Sequence, residues 1–279
     1  MDTIKASIVV PCHNSACFVR ETAEAAFAQT LAEVEVVFVD DGSTDDTATL
    51  IAQTIAEHPL RLARLVTQPD SGLASARNHG IRVARGQYVV PLDSDDLIAP
   101  TMLQECVALL DADPELALVY TDREDFGEVN RVWPAGEYAL ERLKYFNQLN
   151  YCSLFRRSMW EAIGGYRENV SGLDDWDFWV AAASRGFKAQ HLQQPHLKHR
   201  TRKGSLMWRI LDDYPRFHAR IVLNNDTAYA PEEVRLARQF LDGGAAPSFL
   251  QASQFVFRAQ FLRAAASASG SVCGRRCRD

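Results

Sequence analysis

The sequence predicts an α/β fold: a mostly parallel β-sheet flanked by helices, with a helical C-terminal extension. Three observations predict it. Strand-sized apolar runs alternate with helical stretches as far as Thr121. Turn and capping residues separate them, the pattern of βαβ units. The runs end in polar and mostly acidic residues, and ligands of open sheets lie outside those strand ends.

The elements follow in order. Ser7 to Val10 reads as a buried strand stopped by Pro11. Phe18, Val19, Ala23, Ala26 and Phe27 recur at helical spacing. Val34 to Val39 is a second strand, and Ser43 with Asp46 opens a helix carrying Leu50, Ile51 and Ile55. Leu62 to Val66 is a third strand, and a helix over Leu73 to Arg85 is ended by Gly86. Tyr88 to Leu92 is a fourth strand, Pro100 starts a helix to about Leu110, and Ala117 to Thr121 is a fifth strand. Beyond these, Tyr151 to Phe155 reads as a strand, Ser158 to Ile163 as a short helix and Leu173 to Arg185 as an amphipathic helix. Phe187 to Leu192 and His196 to Arg200 read as two short strands. From Ser205 the pattern is helical and mixed, with a loop over Asn224 to Pro231 and a last helix from Pro247 to about Ala266. The expected division is 1–205 for the α/β domain, 206–266 for the extension and 267–279 for a disordered tail.

Composition narrows the function. The chain has 279 residues, 47% hydrophobic and 24% charged, with a net charge of −6. That much apolar surface excludes disorder over the whole length. The charge balance argues against a nucleic-acid partner. No apolar run reaches the ~20 residues of a membrane span, and no signal peptide is visible, so the expected location is cytoplasmic. The six cysteines are scattered without a C-x-x-C pair, which reads as reduced, exposed thiols, including Cys273 and Cys277 in the tail.

Asp93-Ser94-Asp95-Asp96 ends the fourth strand. Two carboxylates two residues apart share a side and suit a hard divalent cation; the alternative is an Asx turn. Asp40-Asp41-Gly42-Ser43 ends the second strand and offers carboxylates to a nucleobase or ribose, or simply a helix start. Arg77, in Gly72 to Asn78, can meet phosphate or lie on a solvated face. Asp174-Asp175-Trp176-Asp177 offers a general base beside aromatics, or an N-cap formed by Asp174 with Asp177 and a set of core aromatics. A helix start also favours the ionised carboxylate, which weakens a base. G-x-G-x-x-G, P-loop, H-E-x-x-H and G-x-S-x-G patterns are absent from the sequence.

The order of these motifs resembles glycosyltransferase family 2, over roughly residues 5 to 205. The resemblance runs through Ile8 to Asn14, Val39 to Ser43, Gly72 to Asn78, Asp93-Ser94-Asp95, Phe155-Arg156-Arg157, Gly164-Gly165-Tyr166 and Asp174 to Asp177. It implies a GT-A, Rossmann-like fold and an inverting transfer of sugar from a nucleotide donor, foremost a UDP-sugar, to a glycan or lipid-linked acceptor. Pro11, Asn14, Asp40, Asp41, Arg77, Asp93 and Arg202 would bind the donor. Asp93 and Asp95, with His199, would hold Mg²⁺ or Mn²⁺, and Asp175 would be the catalytic base. Two positions depart from the family pattern. Asp174 replaces a Glu, and Arg202 falls where a metal-binding His is usual. Either His199 serves as ligand, or Arg202 and Lys203 meet the diphosphate as cations; charge complementarity favours the latter. Two other readings of the same layout are a non-catalytic nucleotide- or glycan-binding module and a sugar nucleotidyltransferase. Residues 9 to 20 lack the Gly-rich loop of the latter. The apolar last helix, with Phe249, Leu250, Phe255 and Phe261, is expected to pack on the catalytic domain or a partner subunit, or else to lie peripherally on the inner face of a membrane.

Overall fold

The computed structural model describes residues 4–170, 172–202 and 210–255. The N-terminal half alternates strand and helix as the apolar runs dictate. β1 (Ala6–Cys12), β2 (Val34–Asp41), β3 (Leu62–Gln68) and β4 (Tyr88–Pro91) are linked by α1 (Val19–Phe27), α2 (Thr47–Glu57) and α3 (Leu73–Val83). All four strands are parallel, in the order β3-β2-β1-β4. Then come β5 (Leu97–Ile98), α4 (Met102–Ala112), β6 (Leu116–Gly127), β7 (Arg131–Trp133) and α5 (Leu140–Leu143). The chain continues through β8 (Leu154–Arg156), α6 (Arg157–Ile163), α7 (Asp174–Ser184) and β9 (Lys188–Thr201). α8 (Tyr214–Asn224), α9 (Pro231–Leu241) and a helix over 248–255 complete the described chain. Beyond β4 the sheet turns mixed: β8 enters antiparallel to β4 and β6, and β9 runs parallel to β6.

Both faces of the sheet are covered, which explains its apolar strands. Ile8 and Val10 pack with α1, α2 and α4, whereas the intervening Val9 packs with α3 and α7. Tyr214, Ile221, Ala237 and Leu250 belong to that second cluster, so the extension adds to the core of the α/β domain. In the last helix Leu250 is buried, and Ser253 Oγ donates to the Tyr145 carbonyl. Its expected continuation to Ala266, and the 267–279 tail with Cys273 and Cys277, lie outside the described residues.

Several expectations are corrected. Pro11 does not stop β1. The Val9 carbonyl accepts from Leu92 N, so Pro11, of the same parity, turns its missing N–H toward the β4 side, where the β1–β4 pairing has already ended. The two strands expected between Phe187 and Arg200 are one, β9; Pro195 is absorbed at a register shift opposite Asp122. Cys12, Cys106 and Cys152 are buried, free thiols rather than exposed ones.

Gly80 is where α3 meets the sheet most closely. A Cβ there would lie 2.3 Å from Val9 Cγ1 and 3.0 Å from Val39 Cγ2. Gly80→Ala therefore overpacks the core, with an expected loss of about 1–3 kcal/mol. Thermal unfolding checks it: the midpoint should drop by roughly 2–4 °C per kcal/mol.

Candidate active site

The C-terminal ends of β1, β2 and β4 meet on one rim. There the first loops are clamped to one another. Asn14 adopts φ 49°, its backbone N–H donates to Ser43 Oγ at 3.0 Å, and its Oδ1 accepts from Thr44 N at 2.8 Å. The neighbouring His13 ring pairs with the Asp41 carbonyl. The buried Asp41 carboxylate accepts from Gln68 Nε2 at 2.8 Å and from the Ser71 and Gly72 amides at 2.9 Å. Gly42, at φ 68°, lets this turn press on the Asp70 backbone, 2.6 Å from where a Cβ would stand. Asp40 accepts from Ser43 N at 3.3 Å, and Pro11 lines the same rim in the buried end of β1.

After β4 the three acids part in direction. Asp93 Oδ1 meets Arg77 at 2.6 Å, and burial raises the Asp93 pKa above its ordinary value even against that guanidinium. Asp95 Oδ2 pairs with Arg202 at 3.1 Å. Asp96 turns inward: it accepts from Tyr151 Oη at 2.7 Å and from Arg200 N at 2.6 Å. Burial pushes its carboxyl up to about 7. Arg200 also donates to the Asp95 carbonyl and to Glu21, and stacks over Phe126. β9 is thereby fastened to the acidic turn. His199 lies beside Asp96 and 3.1 Å from Asp125. Burial lowers its pKa, but the neighbouring Asp96 and Asp125 carboxylates outweigh that and raise it.

The second half of the site comes from α7. Leu173 is its N-cap residue, and no side chain caps the helix. Asp174 is buried and meets Arg77 Nη1 at 2.7 Å; Asp177 is buried against Arg167 and Asn225. Asp175 accepts from Asn147 Nδ2 at 2.9 Å. Burial, helped by the negative Asp174, pushes its carboxyl up to about 6. Trp176, Phe178 and Trp179 are buried core residues.

These positions correct several sequence expectations. Asp174 and Asp177 do not form an N-cap pair: Asp174 pairs with buried Arg77 and Asp177 with half-buried Arg167 instead. The expected weakening of Asp175 by the helix end is reversed, because desolvation outweighs it. Arg77 is not on a solvated face: it is 2% exposed, and both terminal nitrogens are held by carboxylates. Asn14 and Asp41, expected at the donor, lie on this rim, where they also hold loop backbone. Asp93, Asp95 and His199 are not gathered as a ligand set; among the described residues no three His, Cys, Asp or Glu side chains are placed to hold a metal. Lys203 lies outside the described residues. Sequence reasoning gave no role to Asn147 and Tyr151, which carry no motif, nor to Arg200, which lies between the expected site residues His199 and Arg202. It quoted Asn78 and Tyr166 without linking them, yet Asn78 bonds both the amide and the carbonyl of Tyr166.

Known proteins resemble the chain in sequence and in fold. Chondroitin synthase from Escherichia coli is 31% identical over 186 residues, covering 64% of this chain and 26% of that protein. The chain thus spans about a quarter of that relative's length. The glycosyltransferase EpsJ of Bacillus subtilis, itself uncharacterized, is 29% identical over 72% of this chain and 62% of its own. Two solved structures share the fold. S. aureus TarS 1-349 in complex with UDP-GlcNAc superposes with a TM-score of 0.66 at 22% identity, over 80% of this chain and 69% of that one. Mannosyltransferase PcManGT from Pyrobaculum calidifontis, in complex with GDP-Man and Mn²⁺, gives 0.63 at 22% identity over 96% and 76%. The fold is therefore the GT-A fold. The model of "Glycosyl transferase family 2" matches residues 7–171, and the chain belongs to that family.

Proposed function

We propose that this chain is an inverting, metal-dependent glycosyltransferase with Asp175 as its general base. It moves a sugar from a nucleoside diphosphate donor, foremost a UDP-sugar, to a hydroxyl of a glycan or lipid-linked acceptor. The observation that carries the reading is Asp175. It is a carboxylate raised to about 6 and steadied by Asn147, on a helix tied through Arg77 to the acidic turn after β4. A base serves best when its pKa lies near the working pH. Asp175 takes the proton of the acceptor hydroxyl as that oxygen attacks the anomeric carbon, and the nucleoside diphosphate leaves from the opposite face. One displacement of this kind inverts the configuration.

Asp93 and Asp95 suit Mg²⁺ or Mn²⁺. Each engages an arginine through one oxygen, Oδ1 of Asp93 and Oδ2 of Asp95, and keeps a second for a cation. Mg²⁺ is commonly held by only one or two carboxylates plus substrate phosphates and water, which fits a site without a third protein ligand. The bound ion would supply charge neutralisation on the departing diphosphate. Arg202, 43% exposed and stacked beside Phe18, has the reach to leave Asp95 for a phosphate oxygen. The ligands of the two structural neighbours, UDP-GlcNAc and GDP-Man with Mn²⁺, support a nucleotide-sugar donor. Among the described residues no helix is long and apolar enough to cross a membrane.

Asp175→Asn keeps the Asn147 hydrogen bond and removes the base. Turnover should fall by ~10²–10⁴-fold with donor affinity retained, measured by initial rates and donor titration. Stability should not fall at pH 7.5. A carboxyl raised in the fold is an ionised, unfavourable group above its folded pKa, and stability drops as pH rises from the unfolded value of ~3.9 to about 6.

The wild-type rate with donor well below saturation should rise with pH along an acidic limb centred near 6, and that limb should be absent in the residual rate of Asp175→Asn. A rate profile that is flat from pH 5 to 8 would remove Asp175 from this role.

For the metal, UDP should raise the unfolding midpoint further when Mn²⁺ is present. Ligand that binds only the native state stabilises it by mass action. Asp95→Ala should lose the Mn²⁺-dependent part. An equal UDP shift with EDTA and with Mn²⁺ in the wild type would overturn the metal assignment.

A further inference from the structure

Arg77 lies on α3, on the face that packs against the sheet, and its guanidinium is enclosed by four groups. Asp93 stands at 2.6 Å and Asp174 at 2.7 Å, and the rings of Tyr151 and Tyr166 flank it at 5.1 and 5.8 Å. Asp93 follows β4, and Asp174 opens α7. These segments are far apart in sequence, and the fork of Arg77 joins them directly. We propose that Arg77 is a positioning residue that braces the donor end of β4 against the start of α7, and so fixes where the adjacent Asp175 carboxylate stands without touching the donor itself.

The chemistry requires an arginine. Two carboxylates held on separate terminal nitrogens need a planar fork, and an ammonium on a flexible stem cannot hold both in one geometry. The surroundings keep the fork in place. Tyr151, stacked on it, also accepts from Asp93 N and donates to Asp96, so the arginine, the acidic turn and the ring form one unit. Tyr166, on the other side, is held through its backbone by Asn78, the residue after Arg77.

Among the described residues the charges that face Asp175 are few. Arg77 approaches from α3, Asp174 precedes it on α7, Tyr166 comes from the turn after α6 and Tyr214 from α8; Asn147 is its neutral hydrogen-bond partner. Burial raises both phenols, so they stay neutral across the working range. Arg77 and Asp174 therefore act on Asp175 in opposite senses, the cation lowering its pKa and the anion raising it. Breaking the brace from either end should move Asp175 in opposite directions, which a merely structural ion pair remote from the base would not do.

The brace has a consequence for turnover only if Asp175 is the base, so the experiment has two arms. In the first, the Asp175 carboxyl is titrated by ¹³C NMR in protein labelled at aspartate, assigned with Asp175→Asn. Arg77→Gln should move its midpoint up by roughly one unit and Asp174→Asn down by a similar amount. The double variant should return it toward the wild-type value. If Arg77→Gln does not fold, Asp174→Asn and the double variant carry this arm. An unchanged midpoint in the folded variants, or an upward move in Asp174→Asn, overturns the proposal. In the second arm, Arg77→Lys keeps the charge and loses the fork. Release of nucleoside diphosphate from UDP-N-acetylglucosamine or GDP-mannose should fall by ~10²-fold, the scale of a 1 Å misplacement, with nucleotide affinity measured in EDTA, where Asp93 holds no cation, unchanged. Affinity lost in parallel with turnover would make Arg77 a donor ligand and overturn the proposal. Wild-type protein inactive on both donors would count against the glycosyltransferase reading, and the titration, which needs no donor, would still decide the brace.

Discussion

The site hangs on one buried cation. Arg77 holds Asp93 and Asp174 on opposite arms of its guanidinium, and little of the group reaches solvent. Removing one partner from such an arrangement leaves an uncompensated charge at a cost of about 3–5 kcal/mol. The three groups therefore stand or fall together. The arrangement is also what allows acid groups to be concentrated here at all. Asp93, Asp95, Asp96, Asp174 and Asp175 would repel one another across a low-dielectric rim without Arg77, Arg200 and Arg202 interleaved among them.

That interleaving divides the acids by task. Asp41 and Asp177 spend both oxygens on amides and a guanidinium, and Asp174 gives one oxygen to Arg77 from a fully buried position; all three serve to hold loops and helices. Asp93 and Asp95 are half engaged, each with an oxygen to offer. Among the described residues Asp175 is hydrogen-bonded by a neutral amide and a helix end, and burial outweighs these and the Arg77 charge, so its proton affinity rises. Identical side chains within one rim thus come to differ because their partners differ, as expected wherever environment separates an acid from a base.

The core makes this arrangement rigid. The parallel strands are covered on both faces, and α3 approaches β1 so closely that Gly80 has room for no side chain. Arg77 sits one turn before that contact, so the guanidinium is delivered at a fixed height above the ends of the strands. The C-terminal helices close the other side of α7: Trp176 stacks on Tyr214 at 5.8 Å and packs against His218 at 4.6 Å. The turn that carries Asp175 is thus held between the sheet layer and the helical extension.

Much of this was written in the sequence. The apolar runs from Ser7 to Thr121 located the strands of the α/β half, because a strand buried on both faces needs a continuous apolar stretch. The acidic strand ends and the order of motifs through Asp175 pointed to the family. Partnership was not legible, because it depends on residues distant in the chain. Asn147 meets Asp175 across 28 positions, Arg200 meets Asp96 across 104, and Arg77 meets Asp174 across 97. From sequence alone Asp41, Asp93 and Asp174 are equivalent acids beside a turn. Only the packed fold decides which is saturated by backbone amides, which shares a cation and which neighbours a carboxylate desolvated enough to take a proton, because hydrogen bonding and desolvation act over a few ångströms of space rather than along the chain.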